Sequence, residues 1–251
     1  MKIIILLTFF LSSQTYACRV ATFDMPPWVK AQKTNTPAYM NDIVAMAFEE
    51  MGQKVEWITH QYNLGPETLF KKKADLFIGA VLDFDSNTRR KLSFTPFVRF
   101  NYVLIEQKNH PNASHQLSSD VSVGIMKNYK SARMNLEKFG VNIIEAQRHE
   151  LLNLLNKKKI NYIIDVHATY LYFLGEKLRI ENKFNYIKDD QDTNFGGVVG
   201  LRKSQCQETF RKGLSKLFQK KKGLKNSVSL YPKWMPEIFL SDKDIIINQI
   251  N

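Results

Sequence analysis

The stretch LFKKKADLFIG, residues 69–79, consists of the end of a predicted helix, three lysines and an apolar segment typical of a buried strand. Residues 155–165, LNKKKINYIID, follow the same pattern. The order of the surrounding predicted elements also agrees, although chance similarity in a lysine-rich chain is the alternative explanation. This internal repeat of residues 69–79 and 155–165 predicts two units of the same kind, whose matching strands end at Gly79 and Asp165.

Apolar periodicity predicts alternating strands and helices around both copies of this internal repeat. The predicted strands are 19–23, 55–59, 75–81, 121–125, 141–145 and 161–166, and the predicted helices are 38–51, 66–73, 131–139 and 150–157. This alternation favours an α/β fold with mostly parallel sheets, which bind ligands beyond the carboxyl ends of their strands. The extended apolar stretches 101–106 and 196–201 flank the second unit, and we interpret them as two strands that cross between lobes.

The two ends of the chain carry different patterns. Residues 1–17 combine Lys2, the apolar run 3–11 and a small residue at Ala17, which is typical of a secretory signal peptide. A buried N-terminal strand is the alternative. The C-terminal DIIINQIN, residues 244–251, is too short to span a membrane, and we expect it to pack on the first lobe.

Export would place the two cysteines, Cys18 and Cys206, where a disulfide persists. A disulfide between them is our first interpretation. The second is lipid modification of Cys18 as the mature N-terminus, and the third is a pair of free buried thiols.

The 251 residues are 44% hydrophobic and 24% charged, a globular composition. The formal charge of +12 raises the possibility of a nucleic-acid or anionic-lipid partner. However, the lysines form short runs at predicted helix ends, where cations are favoured and stay solvated. Together with export, this argues against a nucleic-acid partner.

Six segments together resemble the extracellular solute-binding proteins of family 3, the periplasmic amino-acid-binding type. The resemblance covers Arg19 to about Trp234 and is carried by RVATFDMPPW (19–28), NDIVAMAFEEMGQKVEWI (41–58), ADLFIGAVLDFDSNTRRKLSFTPF (74–97), VSVGIMKNY (121–129), INYIIDVHATYLYFL (160–174) and FGGVVGLRK (195–203).

The resemblance implies a periplasmic binding protein of type II, with two α/β lobes joined by two crossing strands. Lobe 1 would comprise residues 18–104 and 198–251, and lobe 2 residues 105–197. It further implies a monomeric, exported protein without a cofactor, which captures a small polar ligand such as an amino acid and delivers it to the permease of an ABC transporter. An exported dehydratase-like enzyme and a ligand sensor without a transporter are the alternatives.

The resemblance also implies a ligand site, since an amino acid needs a cation for its carboxylate and an anion for its ammonium group. Either Arg89 or Arg90 would hold the carboxylate through the planar guanidinium fork, and Asp165 would accept from the ammonium group. The other candidate binding residues are Trp28, Gly79, Asp83 and Tyr129, with Phe23 beside Trp28 in an aromatic wall.

Several of these residues have alternative explanations. Either Arg89 or Arg90 could take the arginine role, because the family's Thr-Pro-Glu-Arg is replaced by Ser-Asn-Thr-Arg at residues 86–89 and the spacing to Phe94 is shorter. The alternative for both is an exposed turn paired with Asp83 or Asp85. Asp165 is also a suitable N-cap for a following helix, and Trp28 an aromatic residue that packs beneath its own loop.

No metal site is predicted. The five histidines lack metal-ligand spacing, and the calcium-loop-like stretches that begin at Asp83 and Asp190 lack the required glycine and the bidentate glutamate. A Gly-x-Ser-x-Gly nucleophile motif is also missing from the sequence.

Overall fold

The structure is a computed structural model and describes residues 17–25, 28–31, 38–61, 64–80, 84–99, 102–107, 117–127, 129–166, 169, 182–186 and 195–219. The predicted signal peptide up to residue 16 and the C-terminal tail lie outside the described residues. Within the described part of the chain, no helix is long and apolar enough to cross a membrane.

Strands and helices alternate through both predicted units. The first half contains β1 (Cys18–Thr22), α1 (Tyr39–Glu49), β2 (Val55–Thr59), α2 (Gly65–Phe70), β3 (Leu76–Gly79), α3 (Ser86–Lys91) and β4 (Leu92–Arg99). The second half contains β5 (Tyr102–Gln107), β6 (Ser122–Met126), α4 (Lys130–Glu137), β7 (Asn142–Ala146), α5 (Arg148–Asn156), β8 (Tyr162–Val166), β9 (Asn182–Tyr186), β10 (Phe195–Leu201) and α6 (Gln205–Gln219).

These strands form two five-stranded sheets of matching design, which confirms the predicted two-lobed α/β fold. The first has the order β2-β1-β3-β10-β4 and the second the order β7-β6-β8-β5-β9. In each sheet the first three strands are parallel and the last two pairings are antiparallel. In strand direction the prediction of mostly parallel sheets is confirmed, because four strands of each sheet run the same way and the fifth, β10 or β5, runs against its neighbours.

The two predicted crossing strands each belong to one sheet. Strand β5 pairs with β8 and β9 in the second sheet, and β10 pairs with β3 and β4 in the first. The described chain belongs to the first sheet up to Arg99, to the second sheet in β5 through β9, and to the first sheet again in β10. Residues 102–104, which were assigned to lobe 1, are part of the second sheet.

The two copies of the internal repeat have equivalent geometry in the two sheets. Lys72 and Lys158, the middle lysines of the two triplets, both end a helix with a left-handed backbone, with φ of 53° and 56°. The following strands, β3 and β8, pair in parallel with the second strand in the order of their own sheet, β1 and β6, through Val20↔Leu76 and Val123↔Tyr162. The two units therefore share the connection from helix to strand.

Helix α6 is held against the first lobe by a covalent bond and by close packing. A disulfide joins Cys18, at the start of β1, to Cys206 in the first turn of α6, with Cα atoms 5.8 Å apart. This is the pairing that our first interpretation of the cysteines predicted. Further along α6, the backbone at Gly213 approaches α1 so closely that an added Cβ would lie 1.8 Å from the carbonyl oxygen of Ala47.

We predict that Gly213→Ala destabilises the protein, although alanine is the better helix former by about 1 kcal/mol. The new methyl group would push α6 away from α1, at a net cost of about 1–3 kcal/mol in the free energy of unfolding, measured by urea denaturation. The control is Lys216→Ala on the exposed face of the same helix, which we expect to be nearly neutral. Equal stability of both variants would contradict the close approach.

We also predict that Lys158→Gly stabilises the protein by about 0.5–1 kcal/mol, because relief of left-handed strain exceeds the entropy cost of glycine. Lys157→Gly is the matched control, since Lys157 has φ of −83° and gains nothing from glycine. Measured by chemical denaturation, the free energy of unfolding should rise in Lys158→Gly and fall in Lys157→Gly. A loss of stability in both would exclude a strained backbone at Lys158.

Candidate functional site

A cavity of about 220 Å³ opens where the carboxyl ends of parallel strands from both sheets meet. The chain after β1, the end of β3, the end of β6 and the end of β8 all contribute to its wall. The described lining residues are Phe23, Asp24, Met25, Val29, Met40, Gly79, Ala80, Tyr102, Met126, Lys127, Tyr129, Ser131, Arg148, Asp165, Phe195 and Gly196.

Most of this wall is apolar. Three methionines and four aromatic residues face the cavity: Met25, Met40, Met126, Phe23, Tyr102, Tyr129 and Phe195. Methionine side chains adapt to irregular shapes and make favourable contacts with aromatic rings. The wall therefore suits a ligand with an apolar body, and the few polar groups are left to orient it.

One buried ion pair dominates the polar part of the cavity. The side chain of Asp165 is 1% exposed, and its Oδ2 accepts a hydrogen bond from Nε of Arg148 at 2.9 Å. Its Oδ1 accepts from the backbone N–H of Val166 at 2.8 Å. Burial raises the pKa of the Asp165 carboxyl, and the charge and hydrogen bond of Arg148 partly offset this rise.

Local structure explains why Arg148 reaches Asp165. Arg148 is the first residue of α5, and the backbone N–H of the preceding Gln147 donates to the side chain of Glu150 at 2.9 Å, which fixes the start of the helix. Leu151 and Leu155 of α5 belong to the apolar cluster that contains Ile163 of β8. This packing holds the first turn of α5 beside the end of β8.

Two tyrosines complete the side formed by the second sheet. The hydroxyl groups of Tyr102 and Ser131 lie 2.8 Å apart in a buried hydrogen bond. The ring of Tyr129 meets the ring of Tyr102 edge to face, with centroids 5.5 Å apart. These contacts connect β5 to the start of α4 and give the wall a defined shape.

The remaining charged residues at the cavity are exposed to solvent. Lys127 follows β6, and Asp24 follows β1, where its Oδ1 accepts from the backbone N–H of Ala31 at 2.8 Å. Each is screened by water, so its field in the cavity is weaker than that of a buried charge.

The structure brings three of the predicted binding residues to the cavity. Gly79, Tyr129 and Asp165 all line it, and so does Phe23. Trp28 does not. Trp28 is 3% exposed and packs edge to face on Tyr39 of α1 in the core.

Neither Arg89 nor Arg90 lines the cavity. The predicted turn is the short helix α3, because Asp85 caps it by accepting from the backbone N–H of Thr88 at 3.0 Å. Both arginines therefore lie in the last helical turn, with Arg90 exposed. The remaining predicted binding residue, Asp83, lies outside the described residues, as does the chain directly after Val166 that Asp165 would cap.

The sequence analysis missed Arg148 as a site residue. One sequence pattern could have located it. Gln147-x-x-Glu150 follows a predicted strand and marks the start of a helix, and this start places Arg148 at the carboxyl edge of the sheet. Placing Arg148 against Asp165 additionally required the packing of α5 on β8, which no local pattern specifies.

A larger groove of about 870 Å³ lies at the start of α6, but its described lining comes only from elements of the first sheet and the helices packed on it, so it offers no surface shared by both sheets. In the part of the chain that the structure describes, no group of three or more His, Cys, Asp or Glu side chains is placed to hold a metal ion.

The chain is similar to solved structures of periplasmic and ligand-binding proteins. An arginine transport system periplasmic binding protein from Legionella pneumophila is 12% identical, with a TM-score of 0.68 over 87% of this chain and 99% of that one. The GluR0 ligand-binding core from Nostoc punctiforme, solved with L-glutamate, is 15% identical, with a TM-score of 0.66 over 87% and 99%.

The periplasmic VFT2 domain of BvgS from Bordetella pertussis is 13% identical, with a TM-score of 0.66 over 87% of this chain and 93% of that one. No protein-family model and no curated protein sequence matches the chain. At these identities, the similarity confirms the periplasmic-binding-protein fold that the sequence motifs predicted.

We predict that Arg148→Met lowers the free energy of unfolding by about 3 kcal/mol at pH 7, because it leaves a buried carboxylate without its cation. The pKa of Asp165 would then lie further above its unfolded value of about 4, so stability should fall as pH rises from 5 to 7. Urea denaturation at both pH values measures the two effects.

The matched control is Arg133→Met, which removes an ion pair with Glu145 that is about one-third exposed or more on both sides. Such a pair contributes at most about 1 kcal/mol. Adding Asp165→Asn to Arg148→Met should recover most of the loss. An equal effect of the two single variants, or a loss independent of pH, would contradict the buried pair.

Proposed function

We propose that the protein is an exported solute-binding protein that captures a small carboxylate-bearing ligand, an amino acid or a related compound, in the cavity between its two sheets. The observation that carries the proposal is the combination of a mostly apolar cavity with one partly exposed arginine at the meeting edge of the two sheets. A guanidinium group at the end of an apolar cavity is suited to a carboxylate.

The two-sheet architecture supports binding by closure. The cavity wall combines Phe23, which follows β1, and Gly79 of β3 with Tyr129, which precedes α4, and Asp165 of β8. A ligand that touches both walls gains contacts only when the lobes approach, and so it favours the closed state. The closed complex is the form that we propose is presented to the permease of an ABC transporter.

Two further features support a location outside the cytoplasm. Residues 1–17 have the pattern of a secretory signal peptide. The Cys18–Cys206 disulfide is of a kind that persists in an oxidising compartment, which supports export and favours a disulfide over lipid modification at Cys18. We propose a monomeric periplasmic protein whose ligand is its only small-molecule partner.

We predict that a thermal-shift screen of the mature protein against amino acids, organic acids, amines and short peptides finds one stabilising class. A ligand at a hundred times its dissociation constant adds about 2.7 kcal/mol to the folded state and raises the melting temperature by several degrees. Small-angle scattering with that ligand should show a smaller radius of gyration, because the two lobes close on it.

The control variants place a large side chain inside or outside the cavity. Ala80→Phe fills the cavity and should abolish the shift, whereas Ala45→Phe on the exposed face of α1 should keep it. A shift that survives Ala80→Phe would place the ligand elsewhere. If the protein converts the stabilising compound into a product, the proposed binding function would be wrong and the protein would be an enzyme of the same fold.

A further inference from the structure

The first sheet has a second edge, opposite the one that borders the cavity. Gly196, near the start of β10, lines the cavity, and β10 runs from there to Leu201. Leu201 pairs with Leu92 at the start of β4, and Gly200 pairs with Leu76 at the start of β3. A strand rises about 3.4 Å per residue, so the two edges lie about 17 Å apart.

Three basic segments from distant parts of the chain reach this second edge. They are residues 71–73 before β3, residues 90–91 before β4 and residues 202–203 after β10, and together we call them the basic edge. Every residue in them is a lysine or an arginine, and every one is exposed. The short lysine runs of the sequence are therefore not isolated here, because the fold brings one of them beside two other basic segments.

Contacts join the three segments into one surface. Nζ of Lys91 lies 5.7 Å from the centroid of the Phe70 ring, which directly precedes residues 71–73. The backbone N–H of Arg202 donates to the carbonyl oxygen of Lys91 at 3.2 Å. Phe70 is itself 43% exposed, so the basic edge carries an aromatic ring among its cations.

Two carboxylates close to the basic edge each pair with one cation. Glu67 forms an ion pair with Lys71, and Asp75 forms one with Arg19 of β1. Nη2 of Arg19 also donates to the carbonyl oxygen of Lys72 at 3.0 Å. Because the cations of the basic edge outnumber these carboxylates, the surface keeps a positive charge.

The lysine triplet of the second sheet has different neighbours. Residues 157–159 precede β8 and are exposed, as the first triplet is before β3. At the two positions where the first sheet has its other basic segments, β9 starts with Asn182 and β5 ends with Gln107, whose Nε2 donates to Asn156 at 2.9 Å. Among the described residues, the meeting of basic segments is thus a feature of the first sheet and not of the internal repeat.

The chemistry of the basic edge fits an anionic lipid surface. Lysine and arginine residues near such a surface each add to the attraction, and most residues of the basic edge are lysines. Lysine is a solvated point charge, which suits a layer of many phosphates, whereas a single shaped anion favours the arginine fork. An exposed aromatic ring among cations can enter the boundary between headgroups and acyl chains.

We propose that the basic edge binds the first lobe to membranes that contain anionic lipids. Phe70 enters the headgroup region, and the surrounding lysines and arginines contact the phosphates. The cavity lies at the opposite edge of the sheet, so membrane binding leaves it accessible. The inference goes beyond the proposed function and does not depend on which ligand the cavity binds.

The test measures cosedimentation of the mature protein with phosphatidylcholine vesicles, either pure or containing about one-third phosphatidylglycerol, and we expect binding to the anionic vesicles to be stronger by about tenfold or more. Raising NaCl from about 0.05 M to about 0.5 M should remove most of this binding, because salt screens exposed charges.

The internal repeat supplies matched charge variants. Lys71→Gln, Lys72→Gln and Lys73→Gln together should weaken binding to the anionic vesicles by about tenfold or more. The same three changes at residues 157–159 remove equal charge from an equivalent left-handed connection, and they should weaken binding by less than about threefold.

A second matched pair tests the aromatic ring. Phe70→Ala keeps every charge and should weaken binding to the anionic vesicles by about threefold or more. Phe139→Ala is the control, because Phe139 is 36% exposed in the second lobe and also has a lysine near its ring, with Nζ of Lys138 5.0 Å from the centroid. This variant should bind as the wild type does.

Three outcomes would overturn the inference. Equal losses in the two triple variants would mean that net charge alone attracts the protein. Binding of polyglutamate but not of anionic vesicles, abolished by the triple variant at residues 71–73, would assign the basic edge to an acidic protein segment instead. Equal binding to pure phosphatidylcholine and to anionic vesicles would exclude recognition of anionic lipid.

Discussion

The ion pair between Asp165 and Arg148 is the interaction on which the candidate site depends. A carboxylate with 1% exposure would be strongly destabilising alone, so it requires a cation within hydrogen-bond distance. Arg148 meets this requirement only if α5 begins where it does and packs on β8. The pair therefore couples the position of a helix, the end of a strand and the charge that the cavity presents.

The same pair affects the charge that the cavity wall presents. If Asp165 were solvated and without a cation, the wall would present an anion. With Arg148 bound to it, Asp165 is paired within the protein, and Arg148, with 20% of its side chain exposed, is the more exposed member of the pair. One side chain can thus alter the chemistry of a site without any change in the fold, as expected when function resides in side chains placed on a common framework.

Elements whose signals are local were predictable from the sequence. Strand β2 occupies the predicted residues, 55–59, because its β-branched and aromatic residues lie between turn residues, and the triplet-lysine connections have the same form in both units. The candidate site was only partly predictable. Gly79 and Asp165 follow from the rule for strand ends, whereas the position of Arg148 depends on tertiary packing. Arg89 and Arg90 do not line the cavity. They lie in a helix that Asp85 caps, where a turn was expected.

The matching frameworks of the two sheets explain how an asymmetric site arises from a repeated unit. Equivalent connections lead into β3 and β8, and equivalent positions at their ends hold Gly79 and Asp165. Gly79 exposes bare backbone that allows a close approach, while Asp165 holds a charged partner in place. A ligand between them would meet bare backbone on one side and the Asp165–Arg148 pair on the other. Contacts with both walls would be made together only when the lobes approach, which is the arrangement that favours closure.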